Sequence, residues 1–396
     1  MSSSKPYAQS QLILPLLDAA AGRASISTRR AYDEVANAIG IDDTTRNHRV
    51  ARGPRIVNAF EQDVRWAQQR ARLDGLMRRV GPGDWEITDK GRTALRKARP
   101  GLVVTIFTTA SGVALWASCE DAAAHLDDGS VQLIFTSPPY PLLRQKAYGN
   151  LPERAYLDWL TAIVASWPRK LTGDGSIVLN LGDAWEPGKP HLSLYQERLL
   201  LRLEDELSLK LCQRFAWQNP SKMPAPAEWV TVRRVRVKPS LENLFWLSPH
   251  DRAYSDNRAV LEPYSASMRS MLARGGMAAA RRPAGFEMKD GAFAVDHGGA
   301  IPGNLIVAAN TASNGAYARG CRAEGLPVHP ARFPDALPQF FITMLTRAGD
   351  LVFDPFGGSM TTGAVAERLG RRWVGSELHL DYALGAAHRF VDPRRS

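Results

Sequence analysis

Apolar residues recur with two different periods along this chain. Between residues 11 and 97 they return every three or four positions, which predicts helices. Two short alternating runs on either side of a Gly-Pro-Gly turn interrupt this pattern and are typical of a two-stranded ribbon. The predicted helices begin at Gln11, Ser27, Asp42, Val57 and Asp89, and the predicted strands are Leu76–Val80 and Trp85–Thr88.

The order of these elements predicts a winged helix over residues 1–100, with Arg99-Pro100-Gly101 as a linker. From Val113 onward, strand-like runs alternate with helical stretches, which is typical of a mostly parallel sheet. We therefore expect a second, α/β domain over residues 110–392. Residues 250–303 lack the alternation and are rich in glycine, arginine and methionine, so we expect an inserted loop-rich segment there, with partial disorder as the alternative.

A run of apolar residues, Val131–Thr136, predicts a buried strand that ends at two prolines. In open α/β sheets, ligands bind at the carboxyl ends of the strands. The Ser137 hydroxyl and the Pro138 carbonyl could accept hydrogen bonds from an exocyclic amine of a nucleobase, while Tyr140 offers a face on which the base could stack. A Pro138-Pro139 turn with Tyr140 packed on the sheet is the structural alternative.

A second strand-to-turn junction follows late in the chain. The strand before Asp354 leads into a glycine turn, and hydroxyl side chains follow at the predicted start of a helix, Gly363–Leu369. Glycines at such a turn allow a ligand close to the backbone, although they also serve plain packing. The next strand ends at Glu377, whose carboxylate can take both hydroxyls of a ribose. The candidate ligand-binding residues here are Asp354, Pro355, Phe356, Gly357, Gly358, Ser359, Thr361, Thr362 and Glu377.

Thr-Ser-Pro-Pro-Tyr at residues 136–140 resembles the catalytic motif of amino-methylating DNA methyltransferases in its serine form. Asp-Pro-Phe-x-Gly-Ser at 354–359, with a strand-end Glu, resembles the S-adenosylmethionine site of the same family. The segment 219–246 resembles the corresponding part of serine-type cytosine-N4 enzymes. Because the catalytic motif precedes the cofactor motif, the chain over roughly 110–392 resembles the β-group of these enzymes. This chain departs from the family pattern at Met360, where a third glycine is usual.

The resemblance implies a circularly permuted, Rossmann-like methyltransferase domain that binds S-adenosylmethionine. It implies direct methyl transfer to the exocyclic N4 of a cytosine rotated out of double-stranded DNA, with residues 250–303 recognising the target sequence. It also implies cofactor contacts by Phe333 and, after the first strand of the domain, by Asp121 or Glu120, although the usual Gly-Asp pair is missing. A role in restriction-modification, with a cognate restriction endonuclease, would be typical of the family.

Three other activities stay open at this point. Adenine-N6 enzymes of this type usually carry Asp or Asn where Ser137 stands, so the serine favours cytosine without excluding adenine. A DNA-binding protein that senses the cofactor without turnover is a second alternative, and a methyltransferase for RNA or small molecules is a third. Carbon-5 methylation of cytosine needs a cysteine nucleophile, usually after a proline, and none of the three cysteines follows one.

Charge favours a polyanionic partner. The chain of 396 residues carries a net charge of +10, and residues 1–100 hold 18 Lys or Arg against 11 Asp or Glu, an excess of seven. Residues 8–98, including Val64–Ala67 and Trp85–Gly91, resemble the amino-terminal domain of Mrr-type restriction proteins. The resemblance implies DNA contacts, with dimerisation as the alternative role. The candidate phosphate contacts here are Arg46, Arg49, Arg52 and Arg55.

A second basic run, Thr231–Lys238, alternates apolar and cationic residues. Taken alone this pattern is typical of a half-exposed strand with a solvated basic face. In an enzyme that acts on DNA, the same cations are better interpreted as contacts to the DNA backbone or the target strand. The cations of this run are Arg233, Arg234, Arg236 and Lys238.

The rest of the composition restricts cofactors and location. The three cysteines form no Cys-x-x-Cys pair, which argues against both a disulfide framework and a zinc site, so no metal is expected. No apolar run reaches membrane-spanning length, and the amino terminus lacks a signal-peptide core. We therefore expect a soluble protein of the bacterial cytoplasm or nucleoid. The sequence leaves open whether the protein is a monomer or a homodimer.

Overall fold

A computed structural model of the protein describes residues 9–52, 55–140, 153–186, 188–281, 285, 287–311, 315–391 and 393–395. The chain divides into two compact units, Met1–Ala98 and Arg99–Ser396. The division falls beside Arg99, where the sequence predicts the linker. Each unit has its own hydrophobic core.

The amino-terminal unit combines short strands with helices. Its helices are α1 (Ile13–Ala21), α2 (Thr28–Ile39), α3 (Asp43–Arg46), α4 (Ala59–Leu73) and α5 (Asp89–Leu95). Its strands are β1 (Ile26–Ser27), β2 (Arg49–Arg52), β3 (Arg55–Asn58), β4 (Met77–Gly81) and β5 (Asp84–Ile87). Strands β4 and β5 form a hairpin after α4, and β1, which precedes α2, pairs with β5 to complete the antiparallel sheet β1-β5-β4. Helices followed by such a wing make this unit a winged helix.

Side-chain caps begin the two long helices of this unit. Ser27 accepts a hydrogen bond from the backbone amide of Arg30, and Asn58 accepts one from that of Glu61. Each cap satisfies an amide that would otherwise lack a partner at the helix start. The apolar faces of the helices then close over the wing in one core. This core includes Leu16, Leu17, Val35, Phe60, Val64, Trp85 and Ile87.

A second hairpin, which the sequence did not predict, separates α3 from α4. Strands β2 and β3 pair antiparallel, with Arg52 opposite Arg55 and Arg49 opposite Asn58. The predicted helix from Asp42 therefore ends after a single turn, and α4 begins two residues later than the predicted Val57. Gly53 and Pro54, which lie outside the described residues, form a turn signal strong enough to explain why helical periodicity stops there.

The carboxy-terminal unit alternates strands and helices around one large sheet. Its principal strands are β6 (Val104–Thr108), β7 (Gly112–Trp116), β8 (Val131–Thr136), β9 (Leu171–Leu181), β10 (Lys210–Gln218) and β11 (Leu241–Ser248), followed by the short β12 (Ala280–Arg281), β13 (Glu287–Met288) and β14 (Leu305–Val307), and then by β15 (Leu351–Asp354), β16 (Arg372–Glu377) and β17 (Arg394–Arg395). Its helices are α6 (Cys119–Ala124), α7 (Glu153–Val164), α8 (Tyr195–Leu207), α9 (Ala266–Ala273), α10 (Ala316–Ala323), α11 (Ala336–Leu345), α12 (Thr361–Arg368) and α13 (Leu380–Ala386).

Within the described residues, the sheet has ten strands in the order β14-β10-β11-β9-β8-β15-β16-β7-β6-β17. The central strands β9, β8, β15, β16 and β7 run parallel, and every residue of β8 is buried. Helices α6, α7 and α8 cover one face, and α11, α12 and α13 cover the other. Such two-sided burial explains why the strands appear in the sequence as continuous apolar runs. The sheet already begins at Val104, before the predicted domain start at residue 110, because β6 pairs with β7 as a hairpin.

The segment 250–303 is irregular but not without structure. It contains the 3-10 turn Asn257–Val260, helix α9 and the β12–β13 hairpin. Its beginning is tied to the edge of the sheet where the parallel strands start, since the Tyr254 amide donates to the Asp174 carbonyl. Strand β14 then runs parallel to β10 and brings the chain back towards the carboxyl ends of the strands.

Some features are absent from the part of the chain that the structure describes. Within it, no helix is long and apolar enough to cross a membrane. Nor do any three of its His, Cys, Asp or Glu side chains form a group that could hold a metal ion. The thiols of Cys119, Cys212 and Cys321 are all free.

Candidate active site

The two predicted half-sites lie at the ends of adjacent parallel strands. Leu133 and Ile134 of β8 pair with Val352 and Phe353 of β15, so Ser137 and the glycine turn follow the sheet at the same edge. A direct hydrogen bond joins the two strand ends, from the Thr136 hydroxyl to the Asp354 carboxylate at 2.6 Å. The fold thus brings the serine motif and the glycine turn together.

Asp354 is the centre of a buried hydrogen-bond cluster. One carboxylate oxygen accepts from Thr136 and from the Phe356 amide (3.1 Å), and the other accepts from the Thr362 hydroxyl (2.6 Å). Burial raises the pKa of Asp354 to about 6, although these three hydrogen bonds oppose the shift. Asp354 and Thr362 are turned towards each other inside the protein. These contacts shape the turn, and a direct contact of either side chain with a cofactor stays a prediction.

The turn itself is held by backbone contacts. The Gly357 amide donates to the Ser376 carbonyl (2.8 Å), and the Gly358 amide donates to the Glu377 carboxylate (3.0 Å). Gly358 has a left-handed φ of 54°, and a Cβ atom there would approach the His329 ring at 3.1 Å. A side chain at Gly358 would thus be strained and crowded.

Met360 occupies the position of the third glycine that the family usually has. Its backbone is left-handed (φ 53°), which is unusual for a residue with a side chain. Its side chain is fully buried, with its sulfur against Gly357 and Gly375. The side chain therefore packs beneath the turn and does not narrow the side that a ligand would approach.

Glu377 ends β16 beside the glycine turn. Its two carboxylate oxygens accept from the backbone amides of Gly358 and His379 (2.8 Å). Burial raises the pKa of Glu377 to about 7. Each oxygen keeps a second lone pair, so the carboxylate can still accept hydrogen bonds from a pair of hydroxyl groups.

The remaining predicted cofactor residues are held by contacts with other parts of the protein. The Pro355 carbonyl accepts from the Ser376 hydroxyl (2.9 Å), and the Phe356 ring lies edge-on against Trp159. Ser359 is buried, shares a hydrogen bond with Thr361, and accepts from Arg389 (2.9 Å). Phe333 packs its ring edge against Phe135 of β8.

Asp121 is occupied by contacts with the residue that caps its own helix and with Gly101. Its carboxylate accepts from the Ser118 hydroxyl (2.8 Å) and from the Gly101 amide (2.9 Å). Ser118 in turn caps α6 by accepting from the Asp121 amide. One oxygen receives both donors, so Asp121 fixes the start of α6, and a cofactor contact remains a proposal for its other oxygen.

The serine motif is partly buried at the end of β8. Ser137 donates to the Asn180 carbonyl (3.1 Å) and shares a hydrogen bond with the Tyr140 hydroxyl (3.3 Å). Pro138 is buried, whereas Ser137, Pro139 and Tyr140 are half-buried. The Tyr140 ring covers Gly182 so closely that a Cβ atom there would lie 2.7 Å from it. Tyr140 is therefore packed on the sheet edge through one side of its ring.

Three charged residues near this motif were not assigned from the sequence. Glu242 accepts from the Tyr140 hydroxyl (3.3 Å) and pairs with Lys222 (2.9 Å). Asp183 lies in the field of both, and burial raises its pKa. These side chains converge only because β11 pairs with β9 next to β8, which the local sequence does not reveal.

The basic run 231–238 forms no strand. A helical turn, Glu228–Val232, is followed by irregular backbone between the carboxyl end of β10 and the start of β11, at the same sheet edge as Ser137. All four of its cations are exposed. Arg233 pairs with Glu228 and lies over Trp229, Arg236 donates to the Pro190 carbonyl, and Lys238 donates to the Pro220 carbonyl.

The structure argues against a phosphate contact by Arg46. Its guanidinium pairs with Asp33 (3.0 Å) and Glu61 (3.6 Å) and lies over the ring of Phe60. With only 17% of its side chain exposed, it would have to break both pairs to reach DNA. Arg49 is exposed on β2. The side chains of Arg52 and Arg55 lie outside the described residues.

An open α/β sheet that presents a serine motif and a glycine turn at adjacent strand ends defines the class of amino methyltransferases. Residues 131–388 match the family of DNA methylases, and the chain belongs to that family. Residues 10–97 match the Mrr N-terminal domain. These matches confirm the family, the fold class and the amino-terminal resemblance expected from the sequence.

Individual relatives agree with this assignment. The chain is 41% identical over 288 residues to the Type II methyltransferase M.PvuII of Proteus hauseri, covering 72% of this chain and 85% of that protein. It is 29% identical over 300 residues to the Type II methyltransferase M.XycI of Xanthomonas campestris pv. cyanopsidis, covering 67% and 82%. The solved structure of the PvuII DNA methyltransferase (cytosine-N4-specific) is similar with a TM-score of 0.59 and 38% identity, covering 72% of this chain and 88% of that one.

Proposed function

We propose that this protein transfers a methyl group from S-adenosylmethionine to the exocyclic N4 of cytosine in double-stranded DNA. The observation that carries the proposal is the Thr136–Asp354 hydrogen bond, which fixes the serine motif beside the glycine turn. A methyl donor and an acceptor amine must be held next to each other for direct transfer, and positioning of this kind supplies most of the acceleration. The similarity to a cytosine-N4-specific enzyme supports the same conclusion.

The residues around the glycine turn suit S-adenosylmethionine. Glu377 keeps lone pairs for the two ribose hydroxyls, and the tight turn at Gly357 and Gly358 holds this carboxylate in place through the Gly358 amide. S-adenosylmethionine, when bound, supplies a methyl group that its sulfonium already activates. The protein therefore needs to position and orient the acceptor, and no covalent enzyme intermediate is required.

Ser137 would orient the acceptor. The lone pair of an exocyclic amine is delocalised into the base, and hydrogen bonds that draw its N–H groups out of the ring plane make the nitrogen more nucleophilic. The Ser137 oxygen and the Pro138 carbonyl are the proposed acceptors, and Tyr140 is the proposed stacking partner. An amine that gains a methyl group releases one proton, and solvent water is the proposed final acceptor of this proton.

Cytosine is favoured over adenine because serine, and not Asp or Asn, stands at position 137. The similarity to the PvuII DNA methyltransferase, which is cytosine-N4-specific, favours the same base. Mass spectrometry of nucleosides from methylated DNA separates the products. N4-methylcytosine is expected, and N6-methyladenine as the sole product would overturn the choice of base.

Two surfaces are proposed to contact DNA. In the carboxy-terminal unit, the exposed cations of the 231–238 run emerge from the sheet edge that carries Ser137, so they could follow the backbone of a strand whose base enters the site. In the amino-terminal unit, the β2–β3 hairpin with Arg49 replaces Arg46 as the candidate contact, and dimerisation remains its alternative role. Residues 250–303 are proposed to recognise the target sequence.

The cellular setting is also a proposal. Both relatives named above are Type II methyltransferases, so a restriction-modification role with a cognate endonuclease in the bacterial cytoplasm is the corresponding proposal for this protein. Its oligomeric state, monomer or homodimer, is open to measurement by light scattering.

A serine substitution tests the proposed function directly. Ser137→Ala removes the acceptor hydroxyl and is expected to abolish transfer of labelled methyl groups to mixed-sequence DNA while S-adenosylmethionine still binds in calorimetry. Ser130→Ala is the matched control, because Ser130 lies at the opposite end of the same strand and bonds only to the Asp127 carbonyl among described residues. Cofactor binding without turnover by the unaltered protein would instead indicate a sensor.

A further inference from the structure

A polar chain leads away from Ser137 to the start of β11. The Ser137 and Tyr140 hydroxyl oxygens are 3.3 Å apart, and the Tyr140 hydroxyl donates to one oxygen of Glu242 at 3.3 Å. Lys222 donates to the other oxygen of Glu242 at 2.9 Å. The Glu242 side chain is only 14% exposed and that of Lys222 29%, so the two charges face each other in a largely protected position.

The number of protons fixes the direction of this chain. A hydroxyl donates one hydrogen bond, and an ionised carboxylate donates none. When the Tyr140 hydroxyl donates its hydrogen bond to Glu242, the Tyr140 oxygen can only accept a hydrogen bond from Ser137. The Ser137 proton then points to Tyr140 or to the Asn180 carbonyl, which is 3.1 Å away. In either case the lone pairs of the serine oxygen stay free for the N–H of a target amine.

Without the carboxylate the direction could reverse. The Tyr140 hydroxyl could then donate to the Ser137 oxygen and would compete with the amine for its lone pairs. Lys222 adds a second constraint, because an ammonium only donates and it occupies the far oxygen of Glu242. The near oxygen is thereby left to face Tyr140.

We propose that Glu242 is a positioning residue which, with Lys222, polarises the Tyr140–Ser137 pair so that Ser137 accepts a hydrogen bond from the target amine. The inference rests on the proposed methyl transfer and deepens it. Glu242 does not touch the reacting atoms in this scheme and acts through the Tyr140 hydroxyl. This role predicts that Tyr140→Phe rescues a Glu242 variant, which would not be expected if Glu242 were merely structural.

The test is a set of single and double substitutions assayed in the full chain. Glu242→Ala is expected to lower kcat roughly tenfold to a hundredfold, the range that one misdirected hydrogen bond at a reacting group produces. Glu242→Gln should lower kcat similarly, since Lys222 would hold the amide oxygen and turn the amide NH₂ towards Tyr140. Tyr140→Phe keeps the ring and should have a small effect. The Glu242→Ala/Tyr140→Phe double variant should recover the activity of Tyr140→Phe alone, because the competing donor is gone.

Controls distinguish the proposed role of Glu242 from a general loss of activity, of cofactor binding or of folding. Asp158→Ala removes an exposed carboxylate that pairs with Arg202 between helices α7 and α8, outside every proposed site, and it should leave kcat unchanged. The affinity for S-adenosylmethionine should stay within about twofold in every variant. If Glu242→Ala does not fold, the isosteric Glu242→Gln is compared with the Glu242→Gln/Tyr140→Phe double variant, and recovery of activity in the double variant is again the expected result.

Three results would overturn the inference. One is unchanged turnover in Glu242→Ala, and another is a double variant whose loss equals the product of the two single losses. The third is failure of the unaltered protein to methylate DNA, which would refute the proposed function itself and is recognised without any variant.

Discussion

Thr136→Val tests whether the buried cluster around Asp354 joins the two half-sites. Valine has nearly the shape of threonine, so the substitution removes the hydroxyl that donates to Asp354 at 2.6 Å without opening a cavity. A hydrogen bond to a charged group contributes about 1.5–3 kcal/mol, and one between neutral groups about 0.5–1.5 kcal/mol. We expect Thr136→Val to lower the free energy of unfolding by the larger amount wherever Asp354 is ionised.

The pKa of Asp354 gives this prediction a pH dependence. The folded pKa of about 6 is above the ordinary 3.8, so the folded state binds the proton more tightly than the unfolded chain. The contribution of Asp354 to stability is therefore greatest at low pH and falls by about 3 kcal/mol as the pH rises from about 4 to 6. The variant loses a bond that favours the carboxylate, so its pKa rises further and its deficit should be larger at pH 8 than at pH 5.

Calorimetric melting of both proteins at pH 5 and pH 8 measures the deficit, and Asp354→Asn supplies the reference without a charge. In the Asp354→Asn background, Thr136→Val should cost no more than a neutral hydrogen bond. The reasoning is refuted if the cost of Thr136→Val is the same at both pH values and is unaffected by Asp354→Asn. Thr362→Val, which removes the other hydroxyl from the same carboxylate, is the parallel variant.

Three further predictions concern the cofactor turn and the DNA surface. The affinity for S-adenosylmethionine should weaken as the pH falls from 8 to 6, because the pKa of Glu377 is about 7 and its carboxylate is the proposed ribose acceptor. Calorimetry should show this loss of affinity in the unaltered protein and an affinity independent of pH in Glu377→Gln. Met360→Gly should melt at a higher temperature than Met360→Ala, since both lose buried packing but only glycine relieves the left-handed backbone, by about 1 kcal/mol; the reverse order would contradict the strain. Arg234→Ala should reduce the salt dependence of DNA binding by about one unit of slope, and an unchanged slope would exclude a phosphate contact.

The parts of the fold that the sequence predicted are those set by local chemistry. β8 and β15 are mostly apolar strands, and each is followed within a few residues by a proline or a glycine turn. Their burial and their ends can therefore be predicted from a few consecutive residues. Helix α2 begins next to the predicted Ser27, which caps it by a contact within one helical turn. The position of both half-sites at one sheet edge then follows from the parallel arrangement.

The parts that it missed depend on partners far away in the chain. Glu242 approaches Tyr140 only through the register of β11 against β9, and nothing near Glu242 in the sequence indicates that contact. In the same way, a carboxylate at the end of a strand can face a ligand or the protein, and only the positions of Thr136 and Thr362 decide that Asp354 faces inward. The ion pairs of Arg46 could not be predicted for the same reason, because its acidic partners come from neighbouring helices.

Thr136 and Ser137, two consecutive residues at the end of β8, therefore have different roles. Alternation along a strand sends neighbouring side chains to opposite sides, so Thr136 reaches Asp354 while Ser137 reaches Tyr140 and the Asn180 carbonyl. Both residues act through a hydroxyl group. The Thr136 hydroxyl donates its hydrogen bond to a buried carboxylate, whereas the Ser137 oxygen can still accept a hydrogen bond from a substrate. Removing the first hydroxyl should appear mainly in the melting temperature, and removing the second mainly in turnover. A variant pair with these effects interchanged would show that the assignment of structure to residue 136 and chemistry to residue 137 is wrong.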